Sequence, residues 1–420
     1  MLNNHQWAIL LLGCLLSHVF FACKTDASLA EKGYQNTLTF SPGQEDQIRL
    51  ACIEAEDNTL IQLEAGIYEF EKLSLQGPLN NIAIVGKGKE ETIVDFGKQA
   101  SGGEGFRVEN VNQLLIKDIQ FRESKGDLLK IKEGKDIQLL GVATVWEGEP
   151  EISNGGYGIY PVLCEDVVIK DCYARGASDA GVYVGQTNRA KVSHSLVEYC
   201  VAGIEIENTL DAEVWENEMR HNTGGLLIFD HPGLKYDGKN TRAHHNNIHD
   251  NNYRNFAPAA NSATGVGNLA PGTGILILRT SDVEVFENTI TNNNTMSVGV
   301  ISYATVDPQI FTNKPDFFPN PQNVTIRNNT YGERGAFPEG AYEHELAQLV
   351  VQLHEGIKAA DPRQEIIQHI LFDGIVAGEG ANPHNLCIEE EESVSFLNMD
   401  VANGFAQPSF DRTAYQCAQL

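Results

Sequence analysis

Positive charge is scarce in this sequence: 30 Lys and Arg stand against 57 Asp and Glu in 420 residues, a formal net charge of −27. A field of that sign repels phosphate backbones and anionic lipids, which excludes nucleic acid as a partner and leaves the membrane reachable only through a lipid anchor. It also repels polyanionic sugars unless a cation bridges the carboxylates, so Ca²⁺ is the one cofactor the composition leaves open. Long apolar runs are missing beyond the first two dozen residues, so no later segment spans a bilayer. Intrinsic disorder is excluded too, because 42% of the chain is hydrophobic and only 21% charged.

The single long apolar run lies at residues 7–22 and reads as an export signal, with 1–22 removed and 23–44 a linker. Val19-Phe20-Phe21-Ala22-Cys23 resembles a bacterial lipoprotein processing site, although no Lys or Arg precedes the run and Phe20 stands where Leu is usual. That resemblance implies lipidation at Cys23 and an exported, membrane-anchored lipoprotein, periplasmic or at the cell surface. An ordinary secretory signal is the alternative. Six cysteines remain after Cys14 and Cys23 are set aside. In an oxidising compartment Cys387 and Cys417 are the most separable pair for a disulfide; the central cysteines pair or pack as small apolar residues.

Internal repetition organises the middle of the chain. Gly158, Gly181, Gly203, Gly225, Gly274 and Gly299 recur at spacings of 23, 22, 22, 49 and 25 residues, and most open an alternating strand such as Gly203-Ile204-Glu205-Ile206-Glu207. Second strands follow at 167–169, 190–192, 212–214, 241–243, 283–285 and 324–326, and a short third strand closes each unit. Asn217, Asn246, Asn288 and Asn329 recur after the second strands, with Cys172 and Ser195 at the equivalent earlier places. Stacked asparagines at a tight turn bond the backbone and one another. A period near 22 with three short strands is a solenoid coil. The pattern resembles the right-handed parallel β-helix of the pectate-lyase-like superfamily, so the fold class expected is all-β. Residues 45–56 place Ile48, Cys52 and Ala55 on one helical face, as in the helix that caps such solenoids. The expected boundaries are 45–335 for the β-helix and 336–420 for a small C-terminal capping module, where Leu346, Leu349, Val350, Leu353 and Ile357 keep helical spacing.

The excess residues locate a groove. Long insertions at 146–157, 231–239, 253–273 and 304–322 bracket the first strands and raise walls beside that sheet. Counting from each glycine, positions +2 and +4 point outward. The later coils then offer Leu227, Phe229, Leu276, Leu278, Ile301 and Tyr303, a surface too apolar to stay wet, which the insertions are expected to cover. The earlier coils offer Tyr160, Tyr183, Glu205 and Glu207 beside Gly185, whose missing side chain leaves space.

Aromatic faces with carboxylates suit sugars. Glu205 and Glu207 are candidate catalytic carboxylates, with Asp230 and His231 as an orienting acid and base. Tyr160, Tyr183, Asp179 and Arg279 are candidate substrate contacts. His244, His245 and His249 fit no strong metal signature. The pectate-lyase-like resemblance implies a polysaccharide lyase, epimerase or hydrolase. However, the Gly-His-Gly, Arg-x-Pro-x-x-Arg and Asp-Pro-His-Asp stretches of its enzymes are all missing, so no catalytic residue transfers. The expectation is a monomer acting on or binding polysaccharide or oligosaccharide; the alternative is a non-catalytic surface solenoid that binds glycan or a partner protein.

Overall fold

The computed structural model describes residues 33–258, 265–313, 316–332, 335–343, 345–360, 369–380 and 382–417. The signal segment and Cys23 lie outside them. Strands alternate inward apolar and outward polar residues at period two, and each coil turns onto the next in parallel register. Three ladders result. Strands such as Ala180–Gly185, Ala202–Glu207, Gly224–Phe229 and Thr273–Leu278 form the first, with Val182, Ile204, Leu226 and Ile275 stacked inward. Asn188–Ser193, Leu210–Trp215 and Lys239–His244 continue the second. Short strands such as Leu196–Glu198 and Glu218–Arg220 build the third. All the inward rows belong to one continuous apolar core.

The ladders reach past both ends of the expected 45–335 solenoid. Asn36–Phe40, inside the expected linker, pairs in parallel with Thr59–Leu63. Ile370–Phe372, Leu386–Glu389 and Phe396–Asn398 extend the first and second ladders within the expected 336–420 module. Asn36–Phe40 keeps an offset of 23 residues but has no repeat glycine before it, and Ile370–Phe372 and Leu386–Glu389 lack the spacing as well, so the repeat search does not reveal them. Helix Glu45–Ile53 buries Ile48 and Cys52 against the first coil. Helix Glu345–Ala360 lies against the first-ladder face, packing Val350 and Val351 with Leu276 and Leu371. Tyr415 closes the far end of the core against Phe372 and Phe396, at 5.5 and 5.2 Å between ring centroids. A disulfide joins Cys387 to Cys417 with Cα atoms 4.7 Å apart, whereas Cys52, Cys164, Cys172 and Cys200 are free and buried.

Asparagines rivet the turns. Asn217, Asn246 and Asn288 each donate backbone N–H and Nδ2 to the Oδ1 of the next asparagine, at 2.9–3.1 Å, and Asn329 ends the row on Glu390. The residue before each, from Glu216 to Asn328, takes a left-handed conformation that aims the carboxamide into the solenoid. A second row, Asn222, Asn251 and Asn293, does the same at the turn after the third strand. The sequence count leaves that row out because it followed only the turn after the second strand.

Candidate functional site: a tyrosine and carboxylate cluster on the first ladder

On the first ladder Tyr183 stands opposite Glu205, Gly185 opposite Glu207, and Leu227 and Phe229 follow one coil on. A Cβ at Gly185 would fall inside the Tyr183 ring. The space left by that glycine is therefore filled by the tyrosine, whose hydroxyl donates to Glu207 Oε2. The 146–157 insertion adds a third ring. It is pinned by Trp146 Nε1 donating to Ser124 O at 2.7 Å and by Ser178 Oγ donating to Asn154 O at 2.9 Å. Tyr157 at its end lies 4.5 Å from Tyr160 and 4.7 Å from Tyr183 between centroids, and those two are 4.8 Å apart. Lys130 sits 4.5 Å over the Tyr160 ring.

Carboxylates lie among these rings. Glu205 is 1% exposed and its Oε1 has no hydrogen-bond partner among the described residues. Asp179 is 7% exposed and accepts from the Tyr157 hydroxyl. Glu207 and Asp127 are partly open to solvent. Burial, with the charge of neighbouring acids, pushes Asp179 up to about 7 and Glu205 well above the carboxylate range. Burial also raises Glu207, against the lowering pull of the Tyr183 hydroxyl, and lifts Asp127 to about 6. Tyr157 and Tyr183 are raised well above 10 by burial and then by the nearby acids, so neither serves as an ionised base near neutrality.

The cations beside the cluster are already paired. Arg107 holds Glu109 at 2.7 Å, Lys130 holds Glu104 and Asp127 at 3.4 and 3.7 Å, and Lys132 holds Glu109 and Glu133 at 3.2 and 3.0 Å. Among the described residues no group of three or more His, Cys, Asp or Glu converges to hold a metal ion.

Several expected contacts fall elsewhere. Asp230 and Arg279 pair with each other and are buried. Asp230 also accepts from Gly238 N–H at 2.7 Å, while Arg279 donates to Phe318 O at 2.8 Å and stacks on Phe317. They follow strands of adjacent coils and so stack directly, tying down two insertions, while Asp230 Oδ1 has no hydrogen-bond partner among the described residues. His231 gives its N–H to Asn208 Oδ1 at 2.7 Å, and its ring faces Pro232 O and Tyr303 rather than the Asp230 carboxylate. The expected acid and base pair does not form. In the coil of Gly299 the outward count slips by two: Gly299 lies opposite Leu276 and Ile301 opposite Leu278, and Tyr303 starts a short helix. The ladder position of the repeat glycine is held there by Ser297. His244 lies between Trp215 and Phe286, with Nε2 3.2 Å from Glu213.

Tyr157, Asp127 and Lys130 complete the cluster and were not singled out by sequence reasoning. Tyr157 stands immediately before Gly158, and an outward count that starts at the glycine omits that row. Asp127 begins a coil whose glycine position is Leu128, so the repeat search passes over it.

The ladders and the matching repeat define a parallel β-helix repeat protein. The family profile described as "Right handed beta helix region" matches residues 150–330. A search of curated proteins returns no match. Among solved structures, the A-module of a mannuronan C-5 epimerase from Azotobacter vinelandii is similar at 12% identity and TM-score 0.46, over 86% of this chain and 94% of that one. The tailspike protein of E. coli bacteriophage HK620, solved with a pentasaccharide, is similar at 12% identity and TM-score 0.48, over 74% of this chain and 59% of that one. A DFA-IIIase from Arthrobacter chlorophenolicus A6, solved with GF2, is similar at 12% identity and TM-score 0.48, over 81% and 78%. None of the three transfers a residue role to this chain.

Proposed function

We propose that this protein binds and cleaves a neutral glycan at the tyrosine and carboxylate cluster, as an exported, lipid-anchored monomer. The observation that carries the reading is Glu205, a fully buried carboxyl with a partnerless oxygen beside Glu207 and Asp179. A carboxyl so placed costs stability unless a ligand uses it, and shifted carboxyls gather where proton transfer is required. Glu207, partly open and raised by burial, is the proton donor to a glycosidic oxygen, and Asp127, held by Lys130 and the Tyr157 backbone N–H, is the second carboxylate on the open side. Tyr157 and Tyr160 give apolar faces for sugar C–H groups. A neutral glycan is favoured because the cations of this floor are committed to acids and the chain carries −27. Elimination by an ionised tyrosine is disfavoured by the raised tyrosines. Export is supported by the Cys387–Cys417 disulfide.

The test is reducing-end release and affinity on neutral and uronate oligosaccharide panels. Wild type is expected to act on a neutral member, and Glu207→Gln to lose about 10²–10⁴-fold in rate with binding kept. Binding without turnover would reassign the site to recognition. Inactivity with no binding, or a preference for uronates, would overturn the reading.

A further inference from the structure

The later half of the first-ladder floor is covered, but not filled. Leu227, Phe229, Leu276 and Leu278 form the floor of a cavity of about 100 Å³, walled by Val266 and Leu269 of the 253–273 insertion. Val306 and Leu349 line it from the segments beyond, and it stays partly open to solvent. Protein interiors leave few voids larger than a water molecule. An apolar cavity of roughly 150 Å³ stays dry and binds benzene, so the space here suits a group somewhat smaller.

Its position is set by the ladder. Leu227 and Phe229 are the register partners of Glu205 and Glu207, so the cavity begins one interstrand step, about 4.8 Å, from the carboxylate pair. Two polar side chains stand in its lining. Thr305 donates its hydroxyl proton to Asp373 Oδ2 at 2.6 Å, which leaves the oxygen to accept. Asn268 brings a carboxamide with donor and acceptor ends. An apolar chamber with one amide and one accepting hydroxyl matches a methyl group attached to an amide.

We propose that this cavity is a subsite for the acetamido group of a sugar seated on the neighbouring carboxylates. The methyl packs between Leu276, Leu278 and Val306, and the amide meets Asn268 and Thr305. The inference rests on the glycan reading of that cluster and narrows its substrate class to N-acetylated sugars.

Isothermal titration calorimetry with chitotetraose and cellotetraose tests it, because these neutral tetramers share linkage and length and differ in the acetamido group. Chitotetraose should bind about tenfold or more tightly. Leu278→Trp, which fills the cavity from the floor, and Val306→Phe, which fills it without touching the ladder, should each bring the ratio to about one. Equal affinities in wild type, or a ratio that survives Val306→Phe, overturn the inference and leave the glycan reading standing. If neither tetraose binds, saturation-transfer NMR with N-propylacetamide judges the cavity by itself, and the glycan reading is judged on the oligosaccharide panels. Transfer lost in Val306→Phe supports an acetamido pocket; no transfer in wild type overturns it.

Discussion

Buried polar side chains in this solenoid form satisfied asparagine rows and one acid cluster, and the two kinds are built to opposite rules. In the asparagine row every Oδ1 from Asn217 to Asn329 accepts and every Nδ2 donates, coil after coil. On the outer face of the first ladder, Glu205 is buried as deeply yet keeps an oxygen without a partner, and its neighbours Asp179 and Glu207 share its low-dielectric surroundings. A satisfied buried network holds a backbone in register, whereas an unsatisfied one is tolerated at a cost. The contrast separates the part of the molecule that keeps the fold from the part proposed to carry chemistry.

The largest expected effect breaks the satisfied row. In Asn288→Leu, Asn246 loses the acceptor for its N–H and Nδ2, and Ala243 O and Asn329 Oδ1 lose a donor. With roughly 1–3 kcal/mol for each orphaned buried group, stability should fall by about 3–6 kcal/mol. Urea unfolding at fixed pH measures it through the midpoint at unchanged slope. A loss under about 1 kcal/mol would remove the asparagine row as the contrasting case.

The second effect comes from the unsatisfied side and has the opposite pH sign to ordinary acid denaturation. A carboxyl raised in the folded state binds its proton more tightly there than when unfolded. Between the unfolded value and the folded one, the folded protein holds more protons, so stability falls as pH rises. For Asp179 the window runs from 3.8 to about 7. At about 1.4 kcal/mol per pH unit its loss is of order 2–4 kcal/mol, complete above the folded value. Acids lowered by ion pairs, such as Glu165 with Lys135 and Arg189 and Asp166 with Arg189, tilt the curve the other way, so the comparison is between variants. Asp179→Asn and Glu205→Gln should each flatten the descent between pH 4 and 8 and gain stability relative to wild type at the alkaline end. Curves parallel to wild type would show that these acids are not strained by burial.

Much of the fold was legible in the sequence, and the reason is the repeat. Glycines before alternating strands and asparagines at fixed offsets report each coil independently, so the errors sit where a coil departs from that pattern. Ser297 replaces a glycine and shifts the outward count at Ile301. Ile370–Phe372 joins the ladder after a long excursion with no periodic cue. The candidate site was legible only in its strand residues. Tyr160, Tyr183, Glu205 and Glu207 come together, since alternation places side chains on a face, and Asp179 joins them from the residue before the strand Ala180–Gly185. Asp230 and Arg279 meet each other, a pairing the sequence reading did not anticipate, because positions 49 residues apart sit on adjacent coils. Tyr157 and Asp127 occupy a row just outside the repeat unit, where alternation has no purchase.

The smallest expected effect sharpens the comparison at one hydrogen bond. Tyr183 is the link between the rings and the acids, since its hydroxyl donates to Glu207 and opposes the upward pull of burial on that carboxyl. Tyr183→Phe keeps the ring over Gly185 and removes only the donor, so burial acts unopposed and the Glu207 carboxyl should titrate higher. Carbon-13 NMR of the Glu207 carboxyl reads this directly, without reliance on turnover. If Glu207 donates a proton in the reaction, the alkaline limb of the pH–rate profile should move up by the same amount, because the protonated form then persists to higher pH. Gly185→Ala provides an independent route, since its methyl group would displace the Tyr183 ring and break the same bond with the tyrosine still present. Both variants should shift the titration in one direction. A Glu207 midpoint that stays fixed or falls in Tyr183→Phe would mean that the hydroxyl does not hold the ionised form, and that the acid cluster is tuned by burial alone.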